Sequence, residues 1–226
     1  MGKAGTERAL QRLAKADFFA SKNRAIVLAA RDHFLKEGFA GASMDDIARS
    51  AGVSVKTIYS HFANKDELFS KVMVGACTDN IFVGDLPPED ALAQRFRWFS
   101  RATQGGLFEA GKEYLRHLLS DDQLALYRAV TRDADRFPEL GRQYQQTVAR
   151  GRTGVLTAYL KSVARKRGWP AERDVVQNAA VYEGLLRATI FERALHGLLH
   201  ANPNIVEAHA SSAARTMWRL LMYSYE

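Results

Sequence analysis

Residues 43–69 read SMDDIARSAGVSVKTIYSHFANKDELF, and this stretch decides the fold. Ser43 stands where a helix N-cap belongs, with Asp46 three residues on in a capping-box relation. Asp45 and Asp46 lie in the first turn, where the helix dipole favours negative charge. Ile47, Ala48 and Ala51 make an apolar stripe, and the two small alanines let a second helix come close. Gly52 supplies the positive φ that ends the helix, and Val53 can plug the corner. Ser54 caps a second short helix whose buried face is Ile58 and Phe62. Asn64 caps a third, with Glu67 three residues later. Helix, glycine turn, short helix and capped third helix together predict a helix-turn-helix, which lays its second helix in the DNA major groove.

Val55, Lys56, Thr57, Tyr59, Ser60 and His61 are left on the outward face of the second helix. A cation, hydroxyls and a phenol suit phosphates and base edges, and Val55 suits a thymine methyl. Upstream, Ile26, Ala30 and Phe34 recur at i, i+4 and i+8 in KNRAIVLAARDHFLKE, residues 22–37. They predict a helix packed across the helix-turn-helix.

The pattern G-F, then S-M-x-x-I-A-x-x-A-G-V-S, then T-I-Y-x-H-F-x-N-K-x-E-L-F resembles the DNA-binding signature of the TetR family of one-component transcriptional regulators. The likeness covers about residues 22–72. It implies an all-α homodimer that binds a palindromic double-stranded operator, usually as a repressor, with a divergent C-terminal domain for a small-molecule effector. It also implies site residues. Ser43 would bond a phosphate through its hydroxyl and amide, and Lys56 and Thr57 would contact base edges or phosphate. Tyr59 would set its phenol on a phosphate, and Lys65 would neutralise a phosphate beside a helix N-terminus. His61 belongs to the same polar set or bonds backbone at the helix end.

Composition agrees. The net charge is +7, and residues 1–65 carry eleven Lys/Arg against six Asp/Glu, so most of the excess lies in the segment expected to touch DNA. The lone Cys77 excludes an internal disulfide framework and fits a reducing cytoplasm. No apolar run approaches the length of a membrane span, and the N-terminus lacks the apolar core and cleavage site of a signal peptide.

Three regions follow: a basic arm over 1–21, carrying Arg8, Arg12 and Lys15; a DNA-binding domain over 22–70; and an effector and dimerisation domain over 71–226. The arm either reaches DNA or is a loosely packed extension. Beyond GDLPPED (84–90) the chain reads as successive helices over about 88–103, 107–119, 121–137, 138–167, 171–197 and 204–223. Gly105-Gly106 would interrupt the first pair, and Asp121 or Asp122 would cap the third helix. The run R-F-P-E-L within Tyr127–Leu140 resembles the C-terminal domain of AefR-like TetR members.

An effector that is apolar or aromatic would find Phe96, Phe99, Phe108, Tyr127, Tyr144 and Tyr182 as candidate pocket walls, although ordinary core packing explains each one singly. By resemblance the last two helices form the dimer interface, through Val181, Leu185, Ala188, Ala210, Ala214, Met217, Trp218 and Leu221. No enzyme is read here and no cofactor is implied. His196 and His200 have the spacing of a helical metal pair, but HGLLH carries no glutamate and runs into a helix end before Pro203, so no metal site is expected. Two rival readings remain: a DNA-binding regulator controlled by a protein partner, and a helical ligand-binding protein whose helix-turn-helix no longer works.

Overall fold

The computed structural model describes the backbone over residues 3–75, 88–170 and 174–225, and side chains over 19–73, 88–170 and 174–223. The described residues are helical and contain no strand. Helices α1 (Lys3–Gly41), α2 (Met44–Ser50), α3 (Val55–His61) and α4 (Lys65–Gly75) form the N-terminal unit. They are followed by α5 (Glu89–Arg95), a 3-10 turn at Arg97–Ser100, α6 (Gln104–Leu118), α7 (Asp121–Asp133) and α8 (Pro138–Tyr144). A π-helical turn at Gln145–Ala149 joins α8 to α9 (Arg150–Arg167), and α10 (Val175–Leu195) and α11 (Pro203–Tyr225) complete the chain. The region of Cys77 lies outside the described residues.

Several expectations change. No break separates a basic arm from α1, which runs as one helix through residue 21. Arg8, Arg12 and Lys15 have side chains outside the described set. The helix expected over 88–103 stops at Arg95, because Phe96 is extended and the chain re-enters as a 3-10 turn. Gly105 and Gly106 do not interrupt a helix; they lie in the first turn of α6, which Thr103 caps by accepting from the Gly106 N–H. Ser120, not Asp121 or Asp122, caps α7. The long helix from Pro138 to Arg167 exists, but it absorbs a π-turn midway.

Two apolar cores result. One joins α6, α9, α10 and α11. The other begins with Ile26, Phe34, Ile47, Ile58 and Phe69 of the N-terminal unit and continues into Leu126, Val130, Leu140, Tyr144 and Val148. The N-terminal unit therefore has no closed core of its own. α7 and α8 complete it, and α7 lies along α1.

The end of α1 locks this contact. Gly38 takes φ +78 and ψ 178, a region open essentially to glycine alone. The Arg132 guanidinium fills the space that a side chain at Gly38 would need. The Ala40 N–H donates to the Asp133 carboxylate at 3.0 Å, Arg31 pairs with Asp122 at 2.5 Å, and Phe39 meets Phe137 edge-on at 5.0 Å. Gly38→Ala is expected to lower the unfolding free energy by about 1–3 kcal/mol, the cost of holding an alanine in that region, in a denaturant titration.

Candidate nucleic-acid interface

The helix-turn-helix is built from local caps. The Ser43 hydroxyl accepts from the Asp46 N–H at 3.1 Å and donates to the Asp46 carboxylate at 2.6 Å, and Arg49 donates to the other oxygen at 2.7 Å. The Ser43 hydrogen bond, then Arg49, hold the Asp46 carboxyl below the usual carboxylate range. After α2, Gly52 turns the chain at φ +67, and the Val53 N–H reaches back to Ala48 O at 3.0 Å. Ser54 caps α3 by accepting from the Thr57 N–H at 3.1 Å, and its hydroxyl pairs with that of Thr57 at 2.8 Å. Ile58 and Phe62 are buried beneath.

Side chains of α3 then divide by face. Val55 is 40% exposed and Tyr59 52%, unusual for large apolar groups, and Lys56 is exposed beside them. This trio projects from the domain. Thr57 is half-buried against its cap, and the exposed Ser60 donates to Thr57 O at 2.7 Å.

Three residues expected at DNA have partners within the DNA-free chain. The Ser43 hydroxyl proton is already given to Asp46, so a phosphate can have it only by displacing that carboxylate. His61 packs inward, stacked on Phe19 at 3.9 Å. Burial first, and the Lys22 charge second, lower its pKa. Lys65 also turns inward. Its ammonium donates to Phe39 O at 2.7 Å and Ala42 O at 2.9 Å and lies 4.6 Å above the Phe39 ring. Burial lowers its pKa, against the opposing charges of Asp66 and Asp133. Lys65 is a C-terminal cap for α1. Lys65→Met should therefore lower the stability of DNA-free protein by about 1–2 kcal/mol in urea, whereas a lysine reaching only for phosphate would leave it unchanged.

Among the described residues, the six aromatic residues expected around an effector take part in several separate contacts. Phe96 and Phe99 pack with Trp98 and Tyr159 beside the 3-10 turn. The buried Tyr182 donates to Leu107 O at 2.6 Å. Phe108 borders a shallow depression with Gln104, Glu207 and Ser211. Tyr127 meets Tyr144 at 5.7 Å and Phe191 at 5.1 Å. An open groove of about 570 Å³ lies elsewhere, between the α6–α7 corner and the α10–α11 connection, with Arg116, Leu124, Arg128 and His200 among its walls.

The dimer residues are also redistributed. Ala210, Ala214, Met217 and Leu221 are buried inside one chain, where α11 packs on α6. Val181, Leu185 and Trp218 are half-buried against the same core. Only Ala188 is exposed, at a break in α10 where its φ is 22°. The outward stripe of α10 is Val176, Ala180, Gly184 and Ala188, and on α11 Leu220 and Tyr223 face out.

A polar group lies between α6, α8, α9 and α10, and no spacing in the sequence links its members. Tyr114 donates to Glu183 at 2.8 Å, and so does Thr153 at 2.6 Å. Arg152 is 1% exposed and donates to the Tyr144 hydroxyl at 3.2 Å. Burial pushes His117 down to about 4 from 6.5, and the Arg152 charge adds to this. A histidine with a folded pKa below its unfolded one is held neutral by the fold. Its contribution is complete above about pH 6.5 and is lost as pH falls towards 4, a difference of about 3 kcal/mol. His117→Asn should flatten the decline of unfolding free energy over that window, measured against the parent protein.

Among the described residues no group of three or more His, Cys, Asp or Glu is arranged to hold a metal, and no helix is long and apolar enough to cross a membrane. The family model of bacterial regulatory proteins of the tetR family matches residues 26–72. That of the AefR-like transcriptional repressor C-terminal domain matches residues 105–223. A TetR-family regulator from Mesorhizobium loti MAFF303099 superposes with a TM-score of 0.74 at 25% identity, covering 89% of this chain and 97% of that one. The flavonoid-responsive regulator FrrA gives 0.69 at 24%, covering 88% and 96%. FadR of Bacillus subtilis, solved with stearoyl-CoA, gives 0.60 at 17%, covering 86% and 96%; at these identities the last two speak to fold alone. The transcriptional activator FasR of Mycolicibacterium smegmatis is 42% identical over 48 residues, which are 21% of this chain and 22% of that protein.

Proposed function

The chain belongs to the TetR family of bacterial transcriptional regulators, and on that premise we propose a cytoplasmic homodimeric repressor that binds a palindromic operator and is released by a small-molecule effector. The observation that carries the DNA-binding part is the capped α3 with Val55, Lys56 and Tyr59 projecting from it. Lys56 and Tyr59 are assigned to phosphate and groove-edge contacts, and Val55 to a thymine methyl. Thr57 and Ser60 flank this trio, while His61 and Lys65 set the position of the helix.

Two-fold symmetry matches a palindrome, with recognition helices about one DNA turn apart. The outward stripe Val176, Ala180, Gly184 and Ala188, with Leu220 and Tyr223, is the surface proposed for the partner. Small residues there permit close helix crossing. Release by an effector requires a second conformer with a different spacing of the two α3 helices. α7 is the proposed transmitter, since it joins the end of α1 to the C-terminal core.

Repression rather than activation follows the AefR-like match; the name of FasR supports activation as the second reading. The test is fluorescence anisotropy with duplex from the DNA flanking the protein's own gene, random duplex as competitor, and two salt concentrations. Binding should saturate at one or two dimers per site. Tyr59→Phe and Lys56→Ala should weaken it, and Lys56→Ala should lower the salt slope by about 1 if Lys56 neutralises a phosphate. Binding indifferent to sequence would overturn the proposal. A reporter that rises on deletion of the protein supports repression; one that falls supports activation.

A further inference from the structure

Arg152 is the most anomalous group in the C-terminal domain. It sits at 1% exposure, with Nε and Nη1 buried and without a hydrogen-bonding partner. Its one hydrogen bond runs from Nη2 to the Tyr144 hydroxyl, whose ring lies 5.7 Å from the guanidinium carbon. A guanidinium cannot shed its proton to escape burial, so an uncompensated one is costly to keep inside a fold.

Nearby protein groups do not resolve it. Among the described residues no carboxylate lies within 4.0 Å of Arg152. Glu183 is the acid that acts on it through space, but both its oxygens are occupied, by Tyr114 and Thr153. Arg187 also stands 3.7 Å from Glu183. Two guanidinium groups therefore face one carboxylate, and one positive charge remains.

The backbone is shaped to present this group. Tyr144 and Arg152 are eight apart, a spacing that leaves them about 80° apart around the axis of an unbroken α-helix. The π-turn at Gln145–Ala149 takes up one extra residue between them, so both fall on one face about two turns apart. π-turns of this kind recur at functional sites. Tyr144 accepts from Arg152 and keeps its own proton to donate. Guanidinium and phenol thus offer converging donors, with the rings of Tyr127 and Phe191 packed beside Tyr144.

We propose that Arg152 and Tyr144 form the anion-binding end of the effector site, and that the effector is a monocarboxylate on an apolar body. One residual charge selects a monoanion, and the planar guanidinium suits a carboxylate. The assignment rests on the effector reading above and gives that effector its chemical class. It also supplies a route to the DNA, because Tyr144 belongs to the apolar core that contains Phe34, Phe39 and Phe69. A ligand held by Arg152 and Tyr144 would touch that core through Tyr144.

The experiment uses the full-length protein without DNA. Phenylacetate, decanoate and 4-phenylbutyrate are titrated by calorimetry, each beside its primary amide, with thermal melts of wild type, Arg152→Met and Tyr144→Phe. At least one acid should bind at least about tenfold more tightly than its amide, the scale of one charge-assisted contact. R152M should lose that preference yet melt no lower than wild type without ligand, since removing an unpaired buried charge relieves the fold. Y144F should keep the fold and weaken the preference. Equal binding of acids and amides, binding of neither, or an R152M protein that melts lower and keeps the preference would overturn the site. Operator affinity is then measured with the bound acid present. If it is unchanged, release by effector fails while the anion site stands.

Discussion

The turn from Phe39 to Ala42 is the constraint on which the other contacts depend. A helix that ends inside a protein leaves carbonyls without partners, and these must be satisfied. Here Lys65, from the start of α4, takes the carbonyls of Phe39 and Ala42, and Asp133, from the end of α7, takes the Ala40 N–H. Three elements distant in sequence are thereby fixed to one turn. The orientation of α2 and α3 follows from it, because α2 begins two residues after Ala42. So does the docking of the C-terminal domain, because α7 cannot leave without breaking the bond from Asp133 to the Ala40 N–H.

This arrangement explains which parts of the DNA-binding unit were legible in the sequence. Caps at Ser43, Ser54 and Asn64 use partners three residues away, so the spacing alone predicts them. Gly52 was legible for the same reason: its positive φ is a local demand. The partners of Lys65 and His61 in the DNA-free chain were not legible, because they are not local. The carbonyls that hold Lys65 lie 23 and 26 residues away, and the ring that covers His61 belongs to Phe19. A lysine beside a helix N-terminus looks the same in sequence whether it points to phosphate or to another helix end.

The C-terminal domain shows the limit of periodicity more sharply. The stripe Ala210, Ala214, Met217 and Leu221 is a correct reading of an apolar helix face. Sequence does not say which partner covers that face, and here α6 of the same chain does. α10 is apolar on more than one side, so Tyr182, Leu186 and Ile190 serve the core while Val176, Ala180 and Gly184 remain outside. Aromatic residues are weak pocket markers in a sequence because aromatic rings also satisfy one another. Phe96, Trp98, Phe99 and Tyr159 pack on one another in one such cluster.

Arg152 inverts that logic, since a polar group that the fold leaves unsatisfied says more about ligand chemistry than an apolar group that it satisfies. Nothing in the run around residue 152 distinguishes this arginine from Arg150 two residues earlier, which is exposed. The difference is one of helix face: two residues on, Arg152 lies on the opposite side of α9, and the π-turn before it aligns it with Tyr144. An apo state that holds a charge with unpaired donors is raised in free energy relative to a state in which an anion pairs with them. A ligand that removes the strain shifts the conformational equilibrium only through what differs between the two conformers. Tyr144 supplies such a difference, for it is the residue that touches both the charged group and the core shared with α1. On the proposed reading, an anion held by Arg152 would act on that core through Tyr144, and the end of α1, held by Lys65 and Asp133, is where the core meets the turn that precedes α2 and α3.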